Sequence, residues 1–237
     1  MSRDRSRAHR KTWLRFAWRE WFGQRRTGEE GWDSAGEGDR DSRYNWTWLR
    51  YAWEKWLKGY QGGGPVLDLA SGVGVNGQCL RRLGASHVVG LDLDWGCARH
   101  SRRRGLSAAI GDLCSALPFR PGSADIVLLI HALEHFENGL RLLEGIRPAL
   151  RPGGAIVIVT PNWRARTTVQ RFFDDYTHRR PYTAESLRGV LTAAGFKLRV
   201  LLRHNVGYGL GRTPLWRWFP RLCFTGDALF AIAERED

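Results

Sequence analysis

Val66-Leu67-Asp68-Leu69-Ala70-Ser71-Gly72-Val73-Gly74 is the stretch that decides how this chain is read. A run of strand-forming residues enters a glycine turn. Val88-Val89-Gly90-Leu91-Asp92 follows about 20 residues later. The pair reads as a buried strand, a glycine turn, a helix over residues 76–83 and a second buried strand ending in a carboxylate. A βαβ unit of this kind holds a ligand that contains a nucleoside. The glycines let the backbone come close to the ligand, and the carboxylate suits a ribose diol.

Two ligands compete for this unit. Gly72-Val73-Gly74-Val75-Asn76-Gly77 matches G-x-G-x-x-G, with Asp92 at the distance expected for a nicotinamide dinucleotide. Asp68 opposes that reading, because it puts an anion in the strand just ahead of the turn. Phosphates seek backbone N–H groups and a helix N-terminus, not a carboxylate. A ligand with a cationic end fits better, and S-adenosylmethionine carries an ammonium and a sulfonium beside its ribose and adenine.

From here the chain resembles the class I S-adenosylmethionine-dependent methyltransferases, over residues 62–237. Asp68-Leu69-Ala70-Ser71-Gly72-Val73-Gly74 is similar to the family's first motif, D-x-G-x-G-x-G, with Ala70 where the first glycine is usual. That departure is mild at negative φ and strained at positive φ. The resemblance implies that Asp68, Ala70, Ser71, Gly72 and Gly74 hold the methionine end and Asp92 with Leu93 the ribose. It assigns Asp112 with Leu113, in Gly111-Asp112-Leu113, to the adenine. His131-Ala132-Leu133-Glu134-His135 resembles the segment beside the methyl group, and His131 joins the cofactor residues. Leu150-Arg151-Pro152-Gly153-Gly154 resembles the turn before the fifth strand.

The expected fold is an α/β, Rossmann-like, doubly wound sheet of seven strands with helices on both faces. Strands are expected near residues 65–69, 87–92, 107–110, 124–130, 154–160, 196–203 and 227–233. Thr183 is a good N-cap for a helix that Gly195 ends. By resemblance, the last strand is inserted antiparallel. The domain division places a helical extension at residues 1–60 and the catalytic domain at 61–237. Residues 27–42 are polar, acidic and glycine-rich and read as a linker. Residues 44–60 are aromatic and expected to be helical.

Bulk properties agree. The hydrophobic fraction is 43%, and no apolar run is long enough to span a bilayer. No secretory signal is visible, since Arg15 and Arg19 cut the first apolar stretch. The four scattered cysteines suit free thiols in a reducing cytosol. A cytoplasmic protein is expected.

The formal net charge of +13 favours anionic partners. Trp13, Leu14, Ala17, Trp18, Trp21 and Phe22 form one apolar helical face in the basic first segment. Such a helix either packs on the catalytic domain, lies in a membrane interface or binds RNA. Residues 214–224 form a second aromatic and basic cluster. Together they suggest peripheral contact with the inner face of a membrane.

Methylating a hydroxyl calls for a general base, and histidine is the usual one near neutral pH. His135 and His178 are the candidates. Asp174 to Thr183 contains Thr177-His178-Arg179-Arg180-Pro181-Tyr182-Thr183, which resembles a segment of methyltransferases found beside sugar and cell-surface glycan pathways. The plain alternatives are a structural role for His135 and packing on Tyr182 for His178. Glu134 could orient a substrate or ligate a metal, and Asp174, Asp175 and His178 could form a divalent-ion site, but nothing requires a metal and none is assigned. The expected acceptor is a hydroxyl on a glycan, lipid or lipid-linked molecule. An RNA or protein methyltransferase and a non-catalytic partner subunit are the competing functions.

Overall fold

The computed structural model describes residues 48–204 and 226–237. The segments at 1–26, 27–42 and 214–224, with their helix, linker and membrane expectations, lie outside those residues.

Strands β1 (Val66–Leu69), β2 (Val88–Asp92), β3 (Ser107–Ile110), β4 (Ala124–Ile130), β5 (Leu150–Pro161), β6 (Phe196–His204) and β7 (Ala228–Arg235) form one sheet. Their order is β3-β2-β1-β4-β5-β7-β6. The first five are parallel, and β7 runs antiparallel between β5 and β6. The seven strands, the inserted last strand and the strand positions all match the sequence expectation to within a few residues.

Helices α2 (Val75–Arg82), α3 (Trp95–Arg103), α4 (Gly139–Ile146), α5 (Arg166–Phe172) and α6 (Ala184–Ala193) follow successive strands or their loops. Local caps set several of their starts. The Asp94 side chain accepts from Cys97 N–H at 2.7 Å and opens α3. Thr183 and Ser186 form a reciprocal capping box at α6, and Gly195 takes φ 77° just past its end. Among the described residues, no helix is long and apolar enough to cross a membrane.

The period-2 alternation of the strands divides the core in two. Leu67, Leu69, Val127, Leu129, Ile156 and Ile158 face a cluster completed by α4 and α6. Val66, Ile126, Leu128, Val157 and Val159 face the other cluster, with Cys79 and Leu80 of α2.

The chain ahead of the first strand belongs to this second cluster. Helix α1 (residues 48–55) and the short 3₁₀ turn Leu57–Tyr60 bury Trp48, Leu49, Ala52, Trp53 and Leu57 there. Trp48 and Trp56 each lie 5.8 Å from the Phe230 ring. Residues 48–60, placed ahead of the expected boundary at residue 60, thus pack on the sheet itself. Their aromatic spacing, read as an extension, is the buried face of a helix that covers the sheet. Buried Asp125 ties the junction down. It accepts from Gly62 N–H at 2.6 Å, Gly64 N–H at 2.9 Å and Arg151 Nε at 2.6 Å, while Arg151 Nη2 donates to the Tyr60 carbonyl at 2.8 Å.

Candidate active site

The chain runs from β1 through β2 to β3 on one side, then returns to β4 on the other side of β1. In open α/β sheets ligands sit at the carboxyl edge of such a switch point. The described non-glycine residues with positive φ are Ala70 at 55° and His131 at 49°. They follow β1 and β4, the two strands that flank the switch. The Ala70 outcome is the strained alternative, and an L-residue there costs about 1–2 kcal/mol. Strain of this kind gathers at functional sites.

On the β1–β2 side, Asp68 is 1% exposed. Neither of its carboxylate oxygens has a hydrogen-bond partner. Burial pushes its carboxyl up to about 7, against a smaller downward pull from Gly77 N–H and Asn76, which approach without reaching hydrogen-bond geometry. An unpartnered buried carboxylate is costly unless a donor arrives. Gly72 has φ 52°, and a Cβ there would meet nothing within 4 Å, so the space above the turn is open. At Gly74, in contrast, a Cβ would lie 2.6 Å from Leu106 Cδ1 and 2.7 Å from Ser101 Oγ, which packs the turn against α3. Ser71 is buried with its hydroxyl unpaired.

Asp92 closes the turn. One carboxylate oxygen accepts from Gly72 N–H at 2.7 Å and the other from Asp94 N–H at 2.9 Å. Each oxygen keeps a second lone pair for a diol. Leu93, Val73 and Ile110 are exposed hydrophobic residues of this edge, a surface an adenine ring could cover. Asp112 is exposed and accepts from Cys114 N–H at 2.8 Å. The Leu113 side chain instead enters the core, so only its main chain can meet a ligand. A buried carboxylate awaiting a cation, open space over a glycine and an apolar rim together fit S-adenosylmethionine.

On the β4–β5 side, His131, Glu134 and His135 follow β4. Glu134 is 1% exposed. Its Oε2 accepts from Thr160 Oγ1 at 2.9 Å, and Oε1 lies 3.4 Å from His131 Nδ1. The Glu134 main-chain carbonyl accepts from Arg179 N–H at 2.8 Å and Arg180 N–H at 3.0 Å. Those two bonds bring the segment after α5 onto the end of β4. As a result the His135 and His178 rings lie 4.8 Å apart. The sequence set these two histidines 43 positions apart, and the fold unites them.

Each ring is held by its Nδ1. His135 Nδ1 lies 2.8 Å from Thr177 Oγ1, and His178 Nδ1 lies 2.7 Å from the Phe172 carbonyl. His178 packs on the Phe172 ring at 4.6 Å rather than on Tyr182. Asp175 reaches both: Oδ1 accepts from Thr177 Oγ1 at 2.5 Å, and Oδ2 lies 3.7 Å from His178 Nε2. The bonds from Thr177 hold the Asp175 carboxyl below the usual carboxylate range. Glu134, His135 and His178 also bring one ligand atom each within 4.8 Å of one another, close enough to share a cation. The acidic member of that group is Glu134, not Asp174 or Asp175. Thr160 and buried Asn162 carry no spacing signal in the sequence, and Thr177 stands there only as part of its segment, with no role assigned.

Known proteins bear on the chain as a whole. The family described as "Methyltransferase domain" matches residues 44–201. A Mycolicibacterium smegmatis protein named a probable S-adenosylmethionine-dependent methyltransferase is 31% identical over 153 residues, 62% of this chain and 58% of its own length. A ubiquinone biosynthesis O-methyltransferase of Cupriavidus pinatubonensis is 32% identical over 106 residues, 42% of either chain. The chain thus spans about half the length of the curated relatives it matches. The crystal structure of an S-adenosylmethionine-dependent methyltransferase from Archaeoglobus fulgidus superposes with a TM-score of 0.62 at 18% identity, covering 80% of this chain and 94% of that one. The glycine turn, the sheet order and the family match converge: the chain belongs to the class I S-adenosylmethionine-dependent methyltransferases.

Proposed function

We propose that the protein transfers a methyl group to a hydroxyl of a lipid, glycan or lipid-linked small molecule, with His135 as the general base. When bound, S-adenosylmethionine supplies a methyl already activated on sulfur. What the chain must add is orientation and a place for the hydroxyl proton. Asp68 and the Gly72 turn hold the amino-acid end of the cofactor, Asp92 the ribose, and the edge near Leu93 and Asp112 the adenine. Held alignment can supply several kcal/mol, up to about 7–11 kcal/mol in favourable cases.

The observation that carries the reading is the imidazole pair at the carboxyl edge of β4, beside the strand that bears Asp68. His178 Nδ1 is bound to the Phe172 carbonyl, and its Nε2 faces the Asp175 carboxylate 3.7 Å away. His135 has a partner at Nδ1 alone among the described contacts, which favours it as the base. Phe173 and Tyr176 are 73% and 86% exposed beside this pair and give its mouth an apolar rim suited to a lipid acceptor. Relatives named for ubiquinone biosynthesis O-methylation point the same way. Calorimetric titration with S-adenosylhomocysteine, with NADH as control, is the first test. Binding of the former alone, then turnover of a lipid-linked or sugar hydroxyl, is the expected result. Turnover confined to nitrogen or carbon acceptors would overturn the O-methyltransferase reading.

RNA is the second acceptor class, supported by the net charge of +13. A steep fall of turnover with salt would mark it, because phosphate contacts release counterions.

A further inference from the structure

We propose that Thr177, backed by Asp175, is a positioning residue that fixes His135 in its Nδ1–H tautomer and leaves Nε2 bare for the acceptor hydroxyl. The last clause rests on the proposed methyl transfer; the tautomer does not.

Counting protons fixes the direction of these bonds. A threonine hydroxyl has one proton to donate, and an ionised aspartate can only accept. Thr177 Oγ1 lies 2.5 Å from Asp175 Oδ1 and 2.8 Å from His135 Nδ1. The same Asp175 oxygen accepts from Thr177 N–H at 2.9 Å, a local turn that holds the carboxylate in place. These bonds keep Asp175 ionised at neutral pH. The hydroxyl proton therefore points at Asp175. Were it turned toward His135 instead, two oxygens would face each other at 2.5 Å with no proton between them. The Thr177 oxygen is thus an acceptor toward His135, and Nδ1 must carry the ring proton. In a neutral imidazole the other nitrogen, Nε2, then holds the free lone pair.

His178 provides an internal contrast. Its Nδ1 meets the Phe172 carbonyl, which can only accept, so the same tautomer is set by main chain. For His135 the tautomer depends on side chains and can be changed by mutation. Loss of Thr177 frees the ring to place its proton on Nε2, which removes the base without removing the histidine.

The test uses the full chain with ¹⁵N-labelled histidine. Long-range ¹H–¹⁵N spectra are recorded with a chelator, at mildly alkaline pH where the rings are neutral. His135→Asn assigns the His135 signals by their disappearance. The parent should give an Nδ1–H pattern. Thr177→Ser should keep it. Thr177→Val should change it to Nε2–H while the thermal transition and S-adenosylhomocysteine affinity stay close to parent. Asp175→Ala should give the same change, because the Thr177 hydroxyl is then free to donate to the ring. It also guards against misfolding of the valine variant. An Nε2–H pattern in the parent, or no change in Thr177→Val, overturns the proposal. With an acceptor in hand, kcat should fall about 10-fold or more in Thr177→Val and recover in Thr177→Ser. A tautomer change with kcat untouched would overturn the role of His135 as base, and the assignment of the tautomer would stand.

Discussion

At the end of β1 the carboxyl edge presents buried polar groups without partners; beyond β4 it presents a histidine–threonine–aspartate set already bonded together. Asp68 and Ser71 are buried and unsatisfied, and the turn at Gly72 opens onto free space. His135, His178, Thr177 and Asp175 form a connected set that needs no ligand to hold its shape. The first half is completed by what binds to it. The second half is organised in advance, as a group that must meet a reacting atom at a fixed distance should be.

Mutation of the preorganised half should hurt turnover and spare cofactor affinity. His135→Asn should lower kcat about 10²–10⁴-fold, the range for loss of a general base, while S-adenosylhomocysteine binding in a calorimeter stays near parent. Equal losses in His178→Asn would blur the distinction drawn between the two rings.

Mutation of the unsatisfied half should do the reverse. Asp68→Asn should weaken S-adenosylhomocysteine by about 10–150-fold, equivalent to about 1.5–3 kcal/mol for a hydrogen bond to a charged group. Its pH behaviour is a second readout. The Asp68 carboxyl is pushed up to about 7 by burial, from an ordinary 3.8. Between those values the native state holds a proton that the unfolded chain has lost. Stability of the ligand-free parent should therefore fall as pH rises through that window and level off above about 7. A cationic ligand prefers the ionised carboxylate, so its binding should tighten over the same window. Thermal melts and titrations at several pH values check both trends, and Asp68→Asn should flatten them.

Asp92→Ala should cost about 1–3 kcal/mol of S-adenosylhomocysteine affinity. Part of that loss comes from the Gly72 N–H left without its acceptor. An unchanged affinity would remove Asp92 from the cofactor half. The smallest effect belongs to Ala70→Gly. It should raise stability by about 1 kcal/mol by relieving a left-handed alanine, seen as a higher melting temperature.

The same contrast explains what could be read from the chain before folding. The proposed cofactor half lies in one short βαβ unit, so Asp68, the glycine turn and Asp92 announce themselves by spacing. Strand ends are legible because buried parallel strands carry continuous apolar runs, as at residues 126–130 of β4. The proposed acceptor half depends on two main-chain bonds from Arg179 and Arg180 to Glu134, across more than 40 positions. No periodicity encodes such a pairing. Both histidines stood out as residues, but their contact and the hydroxyl between them did not. The packing of residues 48–60 is hidden from the sequence for a similar reason. An aromatic stripe at helical spacing does not say which surface it covers, and α1 covers the sheet itself.

The Asp125 junction has a practical consequence for anyone preparing fragments. A polypeptide that begins at Val66 would contain every strand and every candidate site residue. It would also strip the Asp125 carboxylate of its bonds from Gly62 and Gly64, leaving Arg151 as its one partner among the described residues. Phe230 would lose the tryptophans that shield it. Such a fragment should aggregate on expression, whereas one that begins ahead of Trp48 keeps both the anion and the ring covered.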